Sequence, residues 1–332
     1  VQWLAAPERE GRGLGSSGLQ DSAYYISKAM IRAGLKPGGD NGTYFQKFTV
    51  AEGPDGKPVE AMNVVGILPG KRAGWKDQSV VLGAHYDHLG FGWPDVRASE
   101  RGKLHPGADD NASGVAVMLE LARNLASQGG GSRNLVCVAF SAEECGRWGS
   151  KHYVQHPVYS LDGIRGAINM DTVGRLFEGK IAIHATGTAD EWQHIFRGCG
   201  LVTGIPNQIV PGSADGSDQL SFIEAGIPAV QIFTGAHGDY HSPRDAVDAI
   251  DAAGLVKVAT FVKEAVVYML EREPPLTVTI DGRAKPPASA SGSPSSGRPV
   301  LVGTVPAFDF PGPGVKIDSF TPNSPAAKSE LQ

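Results

Sequence analysis

Two short runs constrain this chain more than any other feature: Ser79–Ala84 (Ser-Val-Val-Leu-Gly-Ala) and Asn134–Phe140 (Asn-Leu-Val-Cys-Val-Ala-Phe). Each is nearly continuous in apolar residues, so neither has the alternating polar face of a half-exposed strand. They read as strands buried on both sides. Val115–Ala126, between them, carries apolar residues at helical spacing, and the alternation continues downstream. Strands are expected at Ala167–Met170, Lys180–Ala185 and Ala229–Phe233, and helices at Glu191–Arg197 and Ala252–Leu270. Upstream, Leu19–Leu35 reads as a helix ended by Gly34 and Pro37. Tyr44–Val50 and Met62–Leu68 read as a hairpin about Gly53-Pro54-Asp55-Gly56. A strand buried on both faces needs helices on both. The pattern therefore predicts an α/β fold, a mostly parallel mixed sheet sandwiched between helices.

The character of the chain changes after Glu273. Ala284–Pro299 has almost no large apolar residue and reads as a flexible linker. The expected organisation is a single catalytic-size domain over residues 1–275, a Pro/Ser/Gly-rich linker over 276–300, and a short segment over 301–332. Phe310–Ile317 followed by Thr321–Lys328 resembles the first half of a PDZ domain. The helix that lines the peptide groove of that fold has no counterpart here, which implies a truncated, non-binding fragment.

Composition excludes several roles. With 30 Lys and Arg against 35 Asp and Glu, the net charge of −5 offers no basic face to nucleic acid or an anionic membrane. No apolar run approaches the roughly 18–20 residues of a membrane-spanning helix. Three cysteines, Cys137, Cys145 and Cys199, rule out a disulfide framework, and none stands in a Cys-x-x-Cys pair. Cys145 beside Glu144 has no Cys/His context and reads as a small buried filler. Gly11-Arg12-Gly13-Leu14-Gly15 lacks the preceding strand of a nucleotide loop and reads as an N-terminal loop. The chain opens at Val1 without a charged-then-apolar leader, so removal of an export signal or trimming is expected.

The chemistry-bearing residues follow the expected strands. His85-Tyr86-Asp87-His88 comes after the first buried run and Ser141-Ala142-Glu143-Glu144 after the second. Asp171 follows Ala167–Met170, Thr234 through His241 follow Ala229–Phe233, and Asp109-Asp110 opens the first central helix. Ligands of open α/β sheets bind at the carboxyl ends of the strands. Imidazoles and carboxylates without thiolates suit a hydrolytic zinc or a related cation. Two histidines with several carboxylates fit a two-metal centre, in which a further, non-ligating carboxylate moves the proton.

Five segments together resemble the M28 zinc metallopeptidases: His85-x-Asp87, Pro106 through Gly114, Ala142-Glu143-Glu144, Asn169-Met170-Asp171, and Asp239-Tyr240-His241-Ser242-Pro243. The likeness runs from about Gly11 to Leu270 and implies a zinc-dependent exopeptidase fold holding two Zn²⁺ ions per chain. It implies that His85 and Asp171 ligate one ion and Glu144 and His241 the other, with Asp109 bridging them. It further implies that the bond between Asp109 and Asp110 is cis. Glu143 is then the general base for the bridging water, Asp87 orients the His85 imidazole, and Tyr240 donates to the developing oxyanion. His88 and His237 fall off the ligand positions and read as pocket or surface residues. Gln219 stands where relatives often have His after the Asp, which touches only the pocket wall.

Peptides are the expected substrates, and an aminopeptidase acting outside the cytoplasm, secreted or periplasmic, is the first reading. A glutaminyl cyclase on the same fold is the alternative. A carboxypeptidase would want a cation such as Arg175 or Arg244 for the substrate carboxylate. A receptor domain that has lost its chemistry is disfavoured by the complete residue set. Phe222, Ile223 and Phe233 fit a hydrophobic specificity pocket and the core equally well.

Overall fold

Every residue of Ser79–His85 and Asn134–Phe140 is buried, and the two strands pair in parallel in the middle of the sheet. The computed structural model describes residues 1–212, 216–280, 304–306 and 317–320. In chain order the elements begin with α1 (Ser17–Arg32), β1 (Lys36–Pro37), β2 (Phe45–Val50), β3 (Val59–Leu68), β4 (Ser79–His85) and α2 (Gly114–Ser127). There follow β5 (Asn134–Phe140), α3 (Trp148–Gln155), β6 (Ile164–Met170), β7 (Ile181–His184), α4 (Trp192–Thr203) and β8 (Asn207–Ile209). The domain closes with α5 (Gln219–Glu224), β9 (Ala229–Phe233) and α6 (Ala252–Glu271). Helix α1 starts where the Ser16 hydroxyl accepts the Leu19 N–H at 3.0 Å, an ordinary N-cap.

The sheet runs β1-β3-β5-β4-β6-β9-β7-β8, with β2 also on β3. The central four strands are parallel, while the β2–β3 hairpin, β3–β5 and β7–β9 are antiparallel. The mixed α/β fold expected from the sequence is the one observed. Its antiparallel neighbours, β3 and β7, flank the four parallel strands that carry the chemistry.

Alternate residues of the buried strands feed two apolar layers. Val80, Leu82 and Ala84 of β4, with Leu135, Cys137 and Ala139 of β5, pack beneath α1, α2 and α6, and α4 leans on α6. Val81, Val136, Val138 and Phe140 face the other way, toward Tyr153 of α3 and Phe222 of α5. Each Val, Leu and Phe among them is worth about 1.5–3 kcal/mol when fully buried. Helices α3 and α5 and strands β1 and β8 were not anticipated, because six- to eight-residue helices and two- to three-residue strands are too short to display a period. All three cysteines are free.

The domain extends slightly past the expected boundary. Leu276 is buried in the core, Thr277 N–H donates to Glu191 at 2.8 Å, and Thr279 N–H donates to the Thr188 carbonyl at 3.0 Å. The rest of the expected linker lies outside the described residues. So does the expected PDZ-like segment, apart from β10 (Thr304–Pro306) and β11 (Ile317–Phe320), which pair antiparallel with each other.

Candidate metal centre

The parallel strands deliver their carboxyl ends to one crevice. His85 is the last residue of β4; Glu143 and Glu144 stand on the turn after β5, where Ala142 takes a left-handed φ of 57°. Asp171 follows β6, and His241 sits on the loop after β9. Asp109 and Asp110 occupy the irregular turn Ala108–Ser113 that leads into α2.

One carboxylate lies between the two histidines, and it belongs to Asp110. Its Oδ1 is 3.2 Å from His85 Nε2, which is itself 3.4 Å from Asp171 Oδ1. Its Oδ2 is 3.2 Å from His241 Nε2, which is 3.1 Å from Glu144 Oε2. Two donor triads therefore share Asp110: His85, Asp110 and Asp171 on one side, and His241, Asp110 and Glu144 on the other.

Asp109, expected in that shared place, points elsewhere. Its Oδ1 accepts the Gly174 N–H at 2.5 Å and its Oδ2 lies 3.1 Å from His237 Nε2. The cis peptide is likewise one residue later than expected, between Asp110 and Asn111. The cause is Asp245, four residues beyond His241, whose buried carboxylate accepts the N–H groups of Asp109 at 3.0 Å and Asp110 at 2.9 Å. This clamp holds the turn so that the second aspartate, rather than the first, faces the imidazoles.

The other expected residues are close by. The Asp87 carboxylate accepts the N–H of Glu143 at 3.1 Å and of Glu144 at 3.3 Å. The His85 imidazole meets the Asp87 main-chain oxygen through Nδ1 at 3.2 Å, while the nearer Asp87 carboxylate oxygen is 3.8 Å away. Asp87 thus fixes the ring with its carbonyl and the Glu143-Glu144 turn with its side chain. Tyr240 stacks on His241 with ring centroids 3.9 Å apart.

His88 is more deeply placed than the sequence suggested. It is fully buried, its Nδ1 lies 2.6 Å from Glu144 Oε1, and its Nε2 has no hydrogen-bond partner among the described residues. With Asp110 and Glu144 it forms a further group of possible metal donors. Asp218 and Asp245 were also missed. Asp218 directly precedes Gln219 and Asp245 lies two residues beyond Pro243, yet nothing in a single sequence says that their side chains turn inward. Gln219 links Asn169 of β6, at 3.3 Å, to Gln231 of β9, at 3.1 Å, so it supports the strand ends from behind.

Electrostatics separate the acidic groups into two kinds. Burial opposes charge on Glu144, but His241 outweighs it and holds that carboxyl down at about 2. Asp110 is likewise held well below its usual range, with His88, His241 and His85 overcoming burial. Burial pushes Glu143 well above the usual range despite His85, with Asp218, Glu144 and Asp171 adding to the shift. It also raises Asp87 to about 6 and Asp218 to about 7. Ionised carboxylates at the donor positions beside a buried, protonatable Glu143 are what a metal hydrolase requires.

The donor set fits zinc. Nitrogen and oxygen ligands at about 2.0–2.1 Å on a tetrahedral ion lie roughly 3.3 Å from one another, and the separations in the two triads run from 3.1 to 3.4 Å. All donors are hard or borderline, with no thiolate among them.

Solved structures that superpose on this fold include a zinc aminopeptidase and a glutaminyl cyclase. The zinc aminopeptidase BSAP of Bacillus subtilis superposes with a TM-score of 0.67 at 19% identity, covering 82% of this chain and 93% of that one. The glutaminyl cyclase of Bacteroides thetaiotaomicron superposes with a TM-score of 0.65 at 19% identity, covering 80% and 96%. The fold class is thus that of the zinc-dependent exopeptidases. A family model for peptidase family M28 matches residues 63–266, and the chain belongs to that family. Aminopeptidase YwaD of Bacillus subtilis (strain 168) is 29% identical over 237 residues, 68% of this chain and 48% of its own length. The chain spans about half the length of the curated relatives it matches.

Proposed function

We propose that this chain is a two-zinc aminopeptidase that removes N-terminal residues from peptides. The observation that carries the reading is the pair of donor triads sharing Asp110, with the protonatable Glu143 on the same turn as Glu144. His85, Asp110 and Asp171 would hold one ion, and His241, Asp110 and Glu144 the other. Zinc there supplies Lewis acidity and lowers the pKa of water toward about 7.

The chain's own residues do the rest. Glu143 takes the proton from the attacking water and delivers it to the leaving amine, a task suited to a carboxyl that burial holds well above the usual carboxylate range. Tyr240 is 39 % exposed, but desolvation of its hydroxyl and the nearby carboxylates of Asp110 and Glu144 push the phenol above its usual pKa, so it stays protonated and can donate to the oxyanion.

The charge pattern favours a substrate amine over a substrate carboxylate. Arg175 is paired with Asp239 at 2.9 Å and Asp245 at 3.2 Å; Arg244 is paired with Asp239 at 2.8 Å and lies 3.7 Å from Glu100. Both cations offered for a carboxypeptidase are already neutralised. YwaD, an aminopeptidase, supports the aminopeptidase reading, and the cyclase neighbour keeps cyclisation as the second reading.

A substrate panel decides. Release from free-amino Leu- and Met-type substrates, lost on N-acetylation and unchanged by C-terminal amidation, is expected. Cyclisation of a Gln-initiated peptide without hydrolysis of the others would establish the second reading. Loss of cleavage on amidation would restore the carboxypeptidase. Among the described residues no helix is long and apolar enough to cross a membrane. Action in the periplasm or medium rests on the family likeness, and fractionation of cells expressing the full-length gene tests it.

A further inference from the structure

Arg12 is fully buried, and all four of its hydrogen bonds end on main-chain carbonyls. Nε donates to Tyr86 O at 2.7 Å, Nη1 to Leu4 O at 2.7 Å and Pro106 O at 2.8 Å, and Nη2 to Gly107 O at 2.7 Å. Tyr86 lies between His85 and Asp87, while Pro106 and Gly107 immediately precede the turn that carries Asp110. One guanidinium therefore spans the two segments whose side chains meet in the His85–Asp110 contact.

The main chain repeats the tie. The Arg12 carbonyl accepts the His88 N–H at 3.1 Å, and the Gly11 carbonyl accepts the Gly90 N–H at 3.1 Å. Glycine is required at position 11: φ is 56°, and a Cβ there would run into the His105 and Gly90 carbonyls. Arg12 itself adopts a left-handed φ of 49°, a conformation kept by a non-glycine residue only where its surroundings impose it.

A buried guanidinium costs several kcal/mol unless charge nearby offsets it. The offset comes from Asp110, Asp245, Asp87 and Glu144, that is, from the centre and its supports. Burial lowers Arg12 to about 10, so it remains a cation at neutral pH. It lies upstream of residue 63, where the family match begins.

We propose that Arg12 is a positioning residue of the metal centre: its guanidinium sets the spacing between the His85 and Asp110 segments, and through that spacing the zinc affinity. The inference rests on reading the two triads as a metal centre. It does not depend on which bond the enzyme cleaves.

The test is zinc affinity by chelator competition for the wild-type chain, Arg12→Gln and Arg12→Lys, with thermal melting of each in excess chelator. Both variants should bind zinc roughly 10–100-fold more weakly while the metal-free transition stays cooperative. Lys should not rescue, because one ammonium cannot span carbonyls that a planar fork reaches together. Affinity within about twofold of wild type in either folded variant overturns the proposal. Loss of cooperative melting in both also overturns it, since the role would then lie in folding alone. Where only one variant folds, its affinity decides. A wild-type chain that binds zinc but cleaves no aminoacyl substrate sinks the aminopeptidase reading, and the affinity ratio still judges Arg12. A wild-type chain that binds no zinc overturns both.

Discussion

The carboxylate of Asp87 accepts the backbone N–H of Glu143 at 3.1 Å, joining the end of β4 to the end of β5. Asp87 follows the ligand-type His85 by two residues, and Glu143 precedes Glu144 by one. The bond therefore sets the proposed base and two donors in one frame. A positioned proton carrier is useful only when the reacting centre is held with it.

The register of the aspartates yields a sharp test. Asp110→Asn should lose at least one zinc per chain and nearly all turnover, because both triads pass through that carboxylate. Asp109→Asn should keep close to two, since its side chain faces Gly174 and His237. Metal analysis of the two purified variants checks this, and the reverse outcome returns the shared place to Asp109.

Glu143→Gln keeps the size of the side chain and removes its basicity. Turnover should fall by about 10²–10⁴-fold with metal content unchanged. The loss should appear in kcat rather than in melting temperature. Near wild-type kcat in this variant would assign the proton transfer to another group.

Acidity should act on the metal-free chain in a definite direction. Asp87 and Asp218 are raised by burial to about 6 and 7; burial lowers His85 and His241, but their carboxylate partners outweigh it and raise both. Groups with raised folded pKa values stabilise below their unfolded values and lose that contribution as pH climbs through the folded ones. Glu144, held at about 2, contributes fully across the same window. The metal-free protein should thus melt lower at pH 8 than at pH 5.5, by on the order of a few degrees. Added zinc should reverse the trend, because its ligands bind deprotonated. Thermal scans with chelator and with zinc at both pH values measure it; a metal-free chain that is more stable at pH 8 contradicts the assignment.

Phe222, weighed equally as pocket or core, is core: it is buried and its ring lies 6.1 Å from Phe140 and 6.0 Å from Tyr153. Phe222→Ala should cost about 3–5 kcal/mol in denaturant unfolding and leave the order of preferred N-terminal residues intact. A changed preference at full stability would put the side chain back in the pocket.

The sheet centre was legible because a strand buried on both faces must be apolar throughout, and β5 and β9 run over the residues that composition marks. The crevice was legible for a related reason, since charged residues directly after such strands have only the carboxyl edge to occupy. Helices α3 and α5 were not, being too short for a period to emerge.

The sequence by itself determined which segments are buried and which segments carry the histidines and carboxylates. Those properties are local and follow from side-chain polarity and spacing. Tertiary structure decided which of two adjacent aspartates meets the imidazoles, and that a glycine-flanked arginine reaches carbonyls 74 and 95 residues away. Asp109 and Asp110 are chemically identical and differ only in backbone torsion. That torsion is set by Asp245, 135 and 136 residues further on, which captures both N–H groups once β9 has packed beside β6. A hydrogen-bond partner so distant in the chain exists only after the sheet has formed, so no local pattern could have recorded it.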